Sequence, residues 1–199
     1  VEGEIGGGKS LIAQRLAFGL VENGTKVALV TTELTTRGWL EQVASIGYGM
    51  SEYIDKGQFL LMSRFGVLTE EVEVEITIDD LISNEGLRAA DFVIIDRASQ
   101  LIPPDTNPTA LLSAIRQFTA EGRTLMLCFD SEEVEPALLR EIKGSAEVVI
   151  GLLSSTQGGQ LNRTLAVTRF LRAAGPVQAR IGWRVEPSMG FIVDITAVS

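Results

Sequence analysis

The stretch GEIGGGKS, residues 3–10, decides how the rest of the chain is interpreted. It fits the pattern G-x-x-x-x-G-K-[ST], in which glycines let a loop curl until its backbone N–H groups point inward at phosphates. Lys9 can then reach the β- and γ-phosphates, and the Ser10 hydroxyl can ligate Mg²⁺. The alternative is a flexible glycine turn that merely precedes a helix. The full match through Gly-Lys-Ser favours a Walker A nucleotide loop.

The segment after the loop supports a nucleotide site. Apolar residues recur at helical spacing as far as Val21, and Gly24 stands where such a helix ends. A helix N-terminus offers unpaired N–H groups and the positive end of a dipole to a phosphate. We therefore expect nucleotide contacts from Gly3, Gly6, Gly7, Gly8, Lys9, Ser10 and Leu11.

The bulk composition is that of one globular domain covering residues 1–199, with 45% hydrophobic residues. The net charge of −9 and the lack of a basic cluster disfavour a nucleic acid partner. The single cysteine, Cys128, cannot form an internal disulfide and fits a reducing cytoplasm. No apolar run approaches the roughly 20 residues that cross a bilayer.

Strand and helix patterns alternate along the chain. We predict helices over residues 35–47, 78–91, 107–122 and 134–144, and strands over residues 26–32, 58–63, 92–96, 124–130 and 146–153. Thr35 or Thr36 is expected to cap the first of these helices. Three further strands, 163–171, 178–186 and 190–198, follow without helices between them. The predicted fold is α/β, with a mainly parallel central sheet, helices on both faces and antiparallel strands at the C-terminal edge. Because the strand before such a loop lies centrally and the sequence starts at Val1, we expect the N-terminal strand to be missing.

Two acidic residues complete the candidate site. Asp96 ends the apolar strand FVIID, the usual Walker B position, where a carboxylate holds Mg²⁺ through water; the alternative is a turn cap. Glu33 ends the strand after the loop helix, where a carboxylate can polarise the attacking water; the alternative is an exposed glutamate. Since Arg97, not a glutamate, follows Asp96, Glu33 is the strong candidate for the catalytic base.

Three other charged residues allow two interpretations each. Asp130 ends the strand TLMLCFD, where a sensor residue would stand, but a turn or cap role is favoured. Arg169 and Arg172 either lie on the exposed face of an edge strand or reach into the site of a neighbouring subunit. The second interpretation requires a homo-oligomer.

The segments GGGKS…TTELTTRGWLEQVASIGYGM, FVIIDRASQL and GWRVEPSMGFIVDI resemble the FlaH (ArlH) family, the KaiC/RecA-like ATPases of the archaellum (archaeal flagellum) motor. The resemblance spans nearly the whole chain, although Arg97 replaces a small polar residue. It implies a RecA-like P-loop fold that binds ATP and Mg²⁺. It further implies a cytoplasmic hexameric ring, peripheral to the membrane-embedded motor and touching its secretion-type ATPase and scaffold ring. Nucleotide state would control assembly, with weak or no ATP hydrolysis.

Two other functions stay open. A KaiC-like regulatory ATPase or kinase would turn ATP over steadily. A RadA-like recombinase needs basic DNA-binding loops, yet the segments after Asp96 and around residues 154–163 carry one basic residue each. The recombinase is the weakest of the three interpretations.

Overall fold

The computed structural model describes residues 1–65, 76–157 and 160–194. Its strands are β1 (Glu2–Gly3), β2 (Val27–Thr31), β3 (Phe59–Ser63), β4 (Phe92–Ile95), β5 (Thr124–Leu127), β6 (Phe129–Asp130), β7 (Val148–Gln157), β8 (Gln160–Phe170), β9 (Arg180–Glu186) and β10 (Gly190–Asp194). Its helices are α1 (Lys9–Glu22), α2 (Thr36–Ser45), α3 (Ser51–Asp55), α4 (Ile78–Ser83), α5 (Glu85–Arg88), α6 (Pro108–Ala120) and α7 (Pro136–Ser145), with a 3₁₀ helix at Ala98–Leu101.

The strands form two sheets that are connected where β5 leads into β6. Their orders are β3-β2-β4-β5 and β6-β1-β7-β8-β9-β10. Only Cys128 separates β5 from β6: its N–H donates to the Ile95 carbonyl at 3.0 Å, and the next N–H, of Phe129, donates to the Val1 carbonyl at 2.8 Å. On passing Cys128, the chain therefore stops pairing with β4, the neighbour of β5, and pairs with β1, the neighbour of β6. Pairs from β3 across to β7 are parallel, whereas β7 to β10 pair antiparallel, which confirms the predicted sheet.

Helices cover both faces of this sheet. All five residues of β2 are buried, and its four apolar residues alternate between two hydrophobic cores. Ala28 and Val30 pack with α4, α6 and α7, while Val27 and Leu29 pack with α1 and α2. Successive side chains of a strand point to opposite faces, so a strand buried on both sides is apolar throughout.

Local capping explains where several helices begin. The Thr35 hydroxyl accepts from the Gly38 N–H at 3.1 Å and starts α2, one of the two caps expected there. The predicted helix 78–91 is instead two helices, because Asn84 ends α4 and its side chain caps α5 through the Gly86 and Leu87 N–H groups. The short helix α3 was not predicted.

A two-residue strand precedes the glycine-rich loop. Glu2 and Gly3 of β1 pair in parallel with β6 on one side and with β7 on the other. These two residues therefore hold the central position expected of the loop strand. The last four residues of the predicted strand 190–198 lie outside the described residues. Among the helices that the structure describes, none is long and apolar enough to cross a membrane.

Candidate functional site

A cavity of about 220 Å³ lies between the glycine-rich loop and the carboxyl ends of β2, β4 and β6. The loop connects β1 to α1 and so faces the edge at which these parallel strands end. The lining residues are Ile5, Gly6, Gly8, Lys9, Ser10, Leu11, Glu33, Asp96, Arg97 and Asp130. The cavity wall thus contains five of the residues that we expect to contact the nucleotide, together with both candidate acids.

Gly3 and Gly7 lie beside the cavity instead of on its wall. Gly3 is the last residue of β1, packed against Leu152. The Gly7 N–H donates to the Glu4 carbonyl at 3.0 Å and closes the loop on itself. Both glycines therefore support the loop from within.

Gly8 is fixed in the loop by its backbone and by a neighbour. Its φ of 98° lies in the left-handed region, and a Cβ there would come within 2.3 Å of the Trp183 ring of β9. Trp183 is 2% exposed and stacks on Phe191 with ring centroids 5.0 Å apart. A side chain at Gly8 would therefore strain the backbone and collide with a ring that is itself held in place.

The Lys9 ammonium is held at the base of the loop. It donates to the carbonyls of Gly3 at 2.8 Å and Glu4 at 2.9 Å, and it lies 3.5 Å from Oδ2 of Asp130. Asp130 is 1% exposed, and its other oxygen accepts from the Glu132 N–H at 3.2 Å. Asp130 thus has the turn role that the sequence favoured and also balances the charge of Lys9 in the cavity.

The start of α1 is open to an anion. Gly8 is its N-cap, and no side chain of the described residues caps the helix there. Its first turn also lacks acidic residues. The N–H groups and the positive end of the helix dipole are therefore free to meet negative charge at the cavity.

Asp96 has the properties of a carboxylate that is suited to bind a cation. It is 3% exposed, and its Oδ1 has no hydrogen-bond partner among the described residues. Burial raises its pKa to about 6; the nearby Glu33 charge adds to the shift, while a hydrogen bond from the Ser10 hydroxyl opposes it. A Mg²⁺ ion is the natural partner for such a buried oxygen beside a serine hydroxyl, so these residues fit the cation.

Glu33 stands at the rim of the cavity, two residues past β2. Its side chain is 41% exposed, so water reaches it. Oε1 of Glu33 accepts from Nη1 of Arg97 at 2.5 Å. The candidate base is therefore in the cavity but already engaged by a cation.

Arg97 joins two glutamates across the strand ends. Its Nη2 donates to Oε1 of Glu133 at 2.5 Å, and Oε2 of Glu133 accepts from the Ser99 hydroxyl at 2.6 Å. Its hydrogen bond holds the pKa of the Glu133 carboxyl below its usual range. The backbone of Arg97 has φ 56° and ψ 49°, a left-handed conformation that is unusual for arginine.

Arg169 and Arg172 are not brought to this cavity. Arg169 lies in β8 opposite Val149, and its Nε is buried without a partner among the described residues. Arg172 follows β8, is 77% exposed and forms an ion pair with Glu147. Neither contributes to the site of its own chain, as the sequence indicated, and a role in a neighbouring site stays a prediction.

Trp183 and the Glu33–Arg97–Glu133 network were missed as site features. Trp183 is distant in sequence from the loop, and only the pairing of β9 with β8 and β10 brings it to Gly8. In the sequence, Arg97 stands where a small polar residue is expected after Asp96. This departure is a usable signal, but the sequence does not assign the partners of Arg97.

Comparison with known proteins finds a matching family model and similar archaeal proteins. The model of the KaiC ATPase family matches residues 1–181. An archaeal flagellar ATP-binding protein FlaH from Methanocaldococcus jannaschii is 28% identical over 100% of this chain and 87% of its own length. The crystal structure of flagellar accessory protein FlaH from that organism superposes with a TM-score of 0.87 at 28% identity, over 98% of this chain and 87% of that one.

A more distant neighbour shows the fold alone. The crystal structure of a KaiC-like protein from Pyrococcus horikoshii OT3 has a TM-score of 0.75 at 17% identity, over 97% of this chain and 87% of that one. The predicted RecA-like α/β fold and the resemblance to FlaH are both confirmed. With the family model covering most of its length, the chain belongs to the KaiC family of ATPases.

Proposed function

We propose that this protein binds ATP with Mg²⁺ and that its nucleotide state controls assembly or activity of the archaellum motor, with weak or no ATP hydrolysis. The observation that carries the proposal is the single cavity wall shared by the loop, Lys9, Ser10 and Asp96. This arrangement acts as a Walker A loop and a Walker B acid. The FlaH relative from Methanocaldococcus jannaschii is an archaeal flagellar ATP-binding protein, which supports both ATP binding and a flagellar role for this chain.

Each residue has a separate task in binding. The loop N–H groups and the start of α1 receive the phosphates, and Lys9 exchanges its carbonyl partners for phosphate oxygens. Ser10 and Asp96 would hold Mg²⁺, which neutralises phosphate charge. Asp130 stays within 3.5 Å of Lys9 and keeps that ammonium in place.

Hydrolysis, where it occurs, would use Glu33. Its carboxylate takes a proton from water as the water oxygen bonds to the γ-phosphorus, and the bond to the bridging oxygen breaks to leave ADP and phosphate. Because Oε1 of Glu33 is bound by Arg97, this step is restrained in the structure described here. That restraint favours a signalling nucleotide over a fuel.

The proposed assembly is supported by the resemblance and by two arginines that lie away from the cavity of their own chain. We infer a cytoplasmic homo-oligomeric ring, hexameric in the family, that meets the secretion-type ATPase and the scaffold ring of the motor. Arg169, with its buried and unpartnered Nε among the described residues, and Arg172 are the candidates for contact with a neighbouring site.

A second candidate function is a KaiC-like regulatory ATPase with steady turnover, which the presence of Glu33 at the cavity favours. Phosphate release by the free protein separates the two. We expect negligible release from wild type, no further change in Glu33→Gln, and unchanged affinity for ATP in both. Steady release that Glu33→Gln abolishes would establish the second function instead.

A further inference from the structure

The structure points to one further role: we propose that Arg97 is a positioning residue that restrains the candidate base Glu33 and so keeps ATP turnover low. This inference rests on the proposed ATP site. The ion-pair network Glu33–Arg97–Glu133 spans the ends of β2, β4 and β6.

Arg97 is placed for this role by its backbone. It directly follows Asp96, and its left-handed φ of 56° occurs in an arginine only when the surroundings maintain it. Its side chain is 23% exposed and lies on the cavity wall. The strained conformation therefore coincides with the point where β4 meets the nucleotide pocket.

One end of the guanidinium is anchored firmly. Glu133 accepts from Nη2 at 2.5 Å with one oxygen and from the Ser99 hydroxyl at 2.6 Å with the other. The Ser99 oxygen in turn accepts from the Asp130 N–H at 3.4 Å. Because Glu133 is fixed on both oxygens, it sets the direction in which Arg97 points.

The other end of the guanidinium engages the base. Nη1 lies 2.5 Å from Oε1 of Glu33 and donates to it, so that oxygen already has a donor where it would accept a proton from water. Accepting that proton would also give up a charge-assisted hydrogen bond. Both effects slow the water attack and leave phosphate binding by Lys9 and the loop untouched.

An accelerating role of Arg97 is the alternative that the experiment must distinguish from restraint. A guanidinium beside the γ-phosphate can also stabilise the charge that develops there and speed the reaction. Restraint and acceleration predict opposite signs for the change in kcat when Arg97 is replaced. The sign is therefore the decisive observable.

The experiment measures phosphate release and the affinity for a fluorescent ATP analogue with Mg²⁺ in wild type and Arg97→Asn. Asparagine tolerates the left-handed backbone, so the loop geometry is retained. We expect kcat to rise by about tenfold, part of the roughly 10²–10⁴-fold that a positioned general base supplies, with KM and affinity nearly unchanged. The rise should vanish in the double variant with Glu33→Gln.

Two further variants make the result specific. Arg97→Lys keeps the charge but cannot hold both glutamates with a planar fork, and we expect an intermediate rise in kcat. Arg88→Asn removes another arginine paired with a glutamate, Glu121, away from the cavity and should change nothing. If Arg97→Asn does not fold, Arg97→Lys carries the test by the same sign.

An unchanged or lower kcat in either Arg97 variant, with ATP affinity retained, overturns the inference while leaving the proposed ATP site intact. A rise that persists in the Glu33→Gln background also overturns it, because the base would then not be Glu33. If wild type does not bind the ATP analogue at all, the proposed function fails and the inference falls with it.

Discussion

The parallel and antiparallel parts of the sheet make different contributions to the site. The parallel strands β2, β4 and β6 end at one edge and place Glu33, Asp96 and Asp130 around the loop. The antiparallel strands β7 to β10 add none of the described lining residues, yet Trp183 of β9 packs against Gly8. Charged groups that act on a ligand thus come from one part, and rigidity of the loop comes from the other.

The largest expected effect lies in the parallel part. Lys9→Ala removes the ammonium that reaches the phosphates and leaves Asp130 buried without its cation, so ATP affinity should fall by about 100-fold or more. Titration with a fluorescent ATP analogue measures this. Lys56→Ala, which removes an exposed lysine paired with Glu52, is the control and should bind normally.

A matched pair of tryptophans tests the antiparallel part. Trp183→Ala and Trp39→Ala each remove a buried ring, 2% and 1% exposed, and each should lower the free energy of unfolding by about 3–5 kcal/mol. Of these two tryptophans, only Trp183 packs against Gly8, so only the loss of Trp183 should also weaken ATP binding. Equal affinity for ATP in the two variants would show that β9 does not stabilise the loop for binding.

In the parallel part, the buried Asp96 carboxyl should lower the free energy of unfolding when no metal is bound. Because folding raises the pKa of Asp96 from its usual 3.8 to about 6, the folded protein binds more protons than the unfolded chain between these values, and stability falls as pH rises through this window. Asp96→Asn should therefore be more stable than wild type by about 1–3 kcal/mol at pH 7 without Mg²⁺.

This advantage of Asp96→Asn should shrink as pH falls towards 3.8 and disappear below about pH 3, because the wild-type carboxyl is then protonated in both states. Thermal unfolding across pH with a chelator present gives the measurement. Added Mg²⁺ and ATP should stabilise wild type far more than Asp96→Asn. A variant that is less stable than wild type at pH 7 would contradict a metal-oriented carboxylate.

The smallest effect is expected on the surface of the antiparallel part, where β7 begins and β8 ends. The ion pair between Arg172 and Glu147 is 77% and 59% exposed, so Arg172→Ala should change stability by no more than about 0.5 kcal/mol. Its ATP affinity should be that of wild type, measured in dilute protein. A large loss in dilute protein would place Arg172 in the site of its own chain.

Local chemistry made much of the parallel part predictable. The Thr35 cap, the apolar strand before Asp96 and the glycine loop all depend on neighbouring residues, and the structure places them as expected. The division of residues 78–91 at Asn84 was missed because the same apolar spacing fits one helix or two.

The contacts of Trp183 and Arg97 could not be predicted in the same way. Each depends on strands that are distant in sequence and become neighbours only through the sheet order. Arg97 meets Glu33 because β2 and β4 are adjacent and parallel, so their ends coincide. The sequence pattern indicates where each strand ends but not which charged residues at those ends will pair.

We propose that the nucleotide is a signal that controls assembly. The most direct test follows the mass of the protein in solution with ATP and Mg²⁺, with ADP, and without nucleotide, while phosphate release is recorded in the same samples. We predict a larger assembly with ATP, absent in Lys9→Ala, and negligible release over the same period. A mass that is independent of nucleotide, together with steady phosphate release, would contradict a signalling role for the nucleotide.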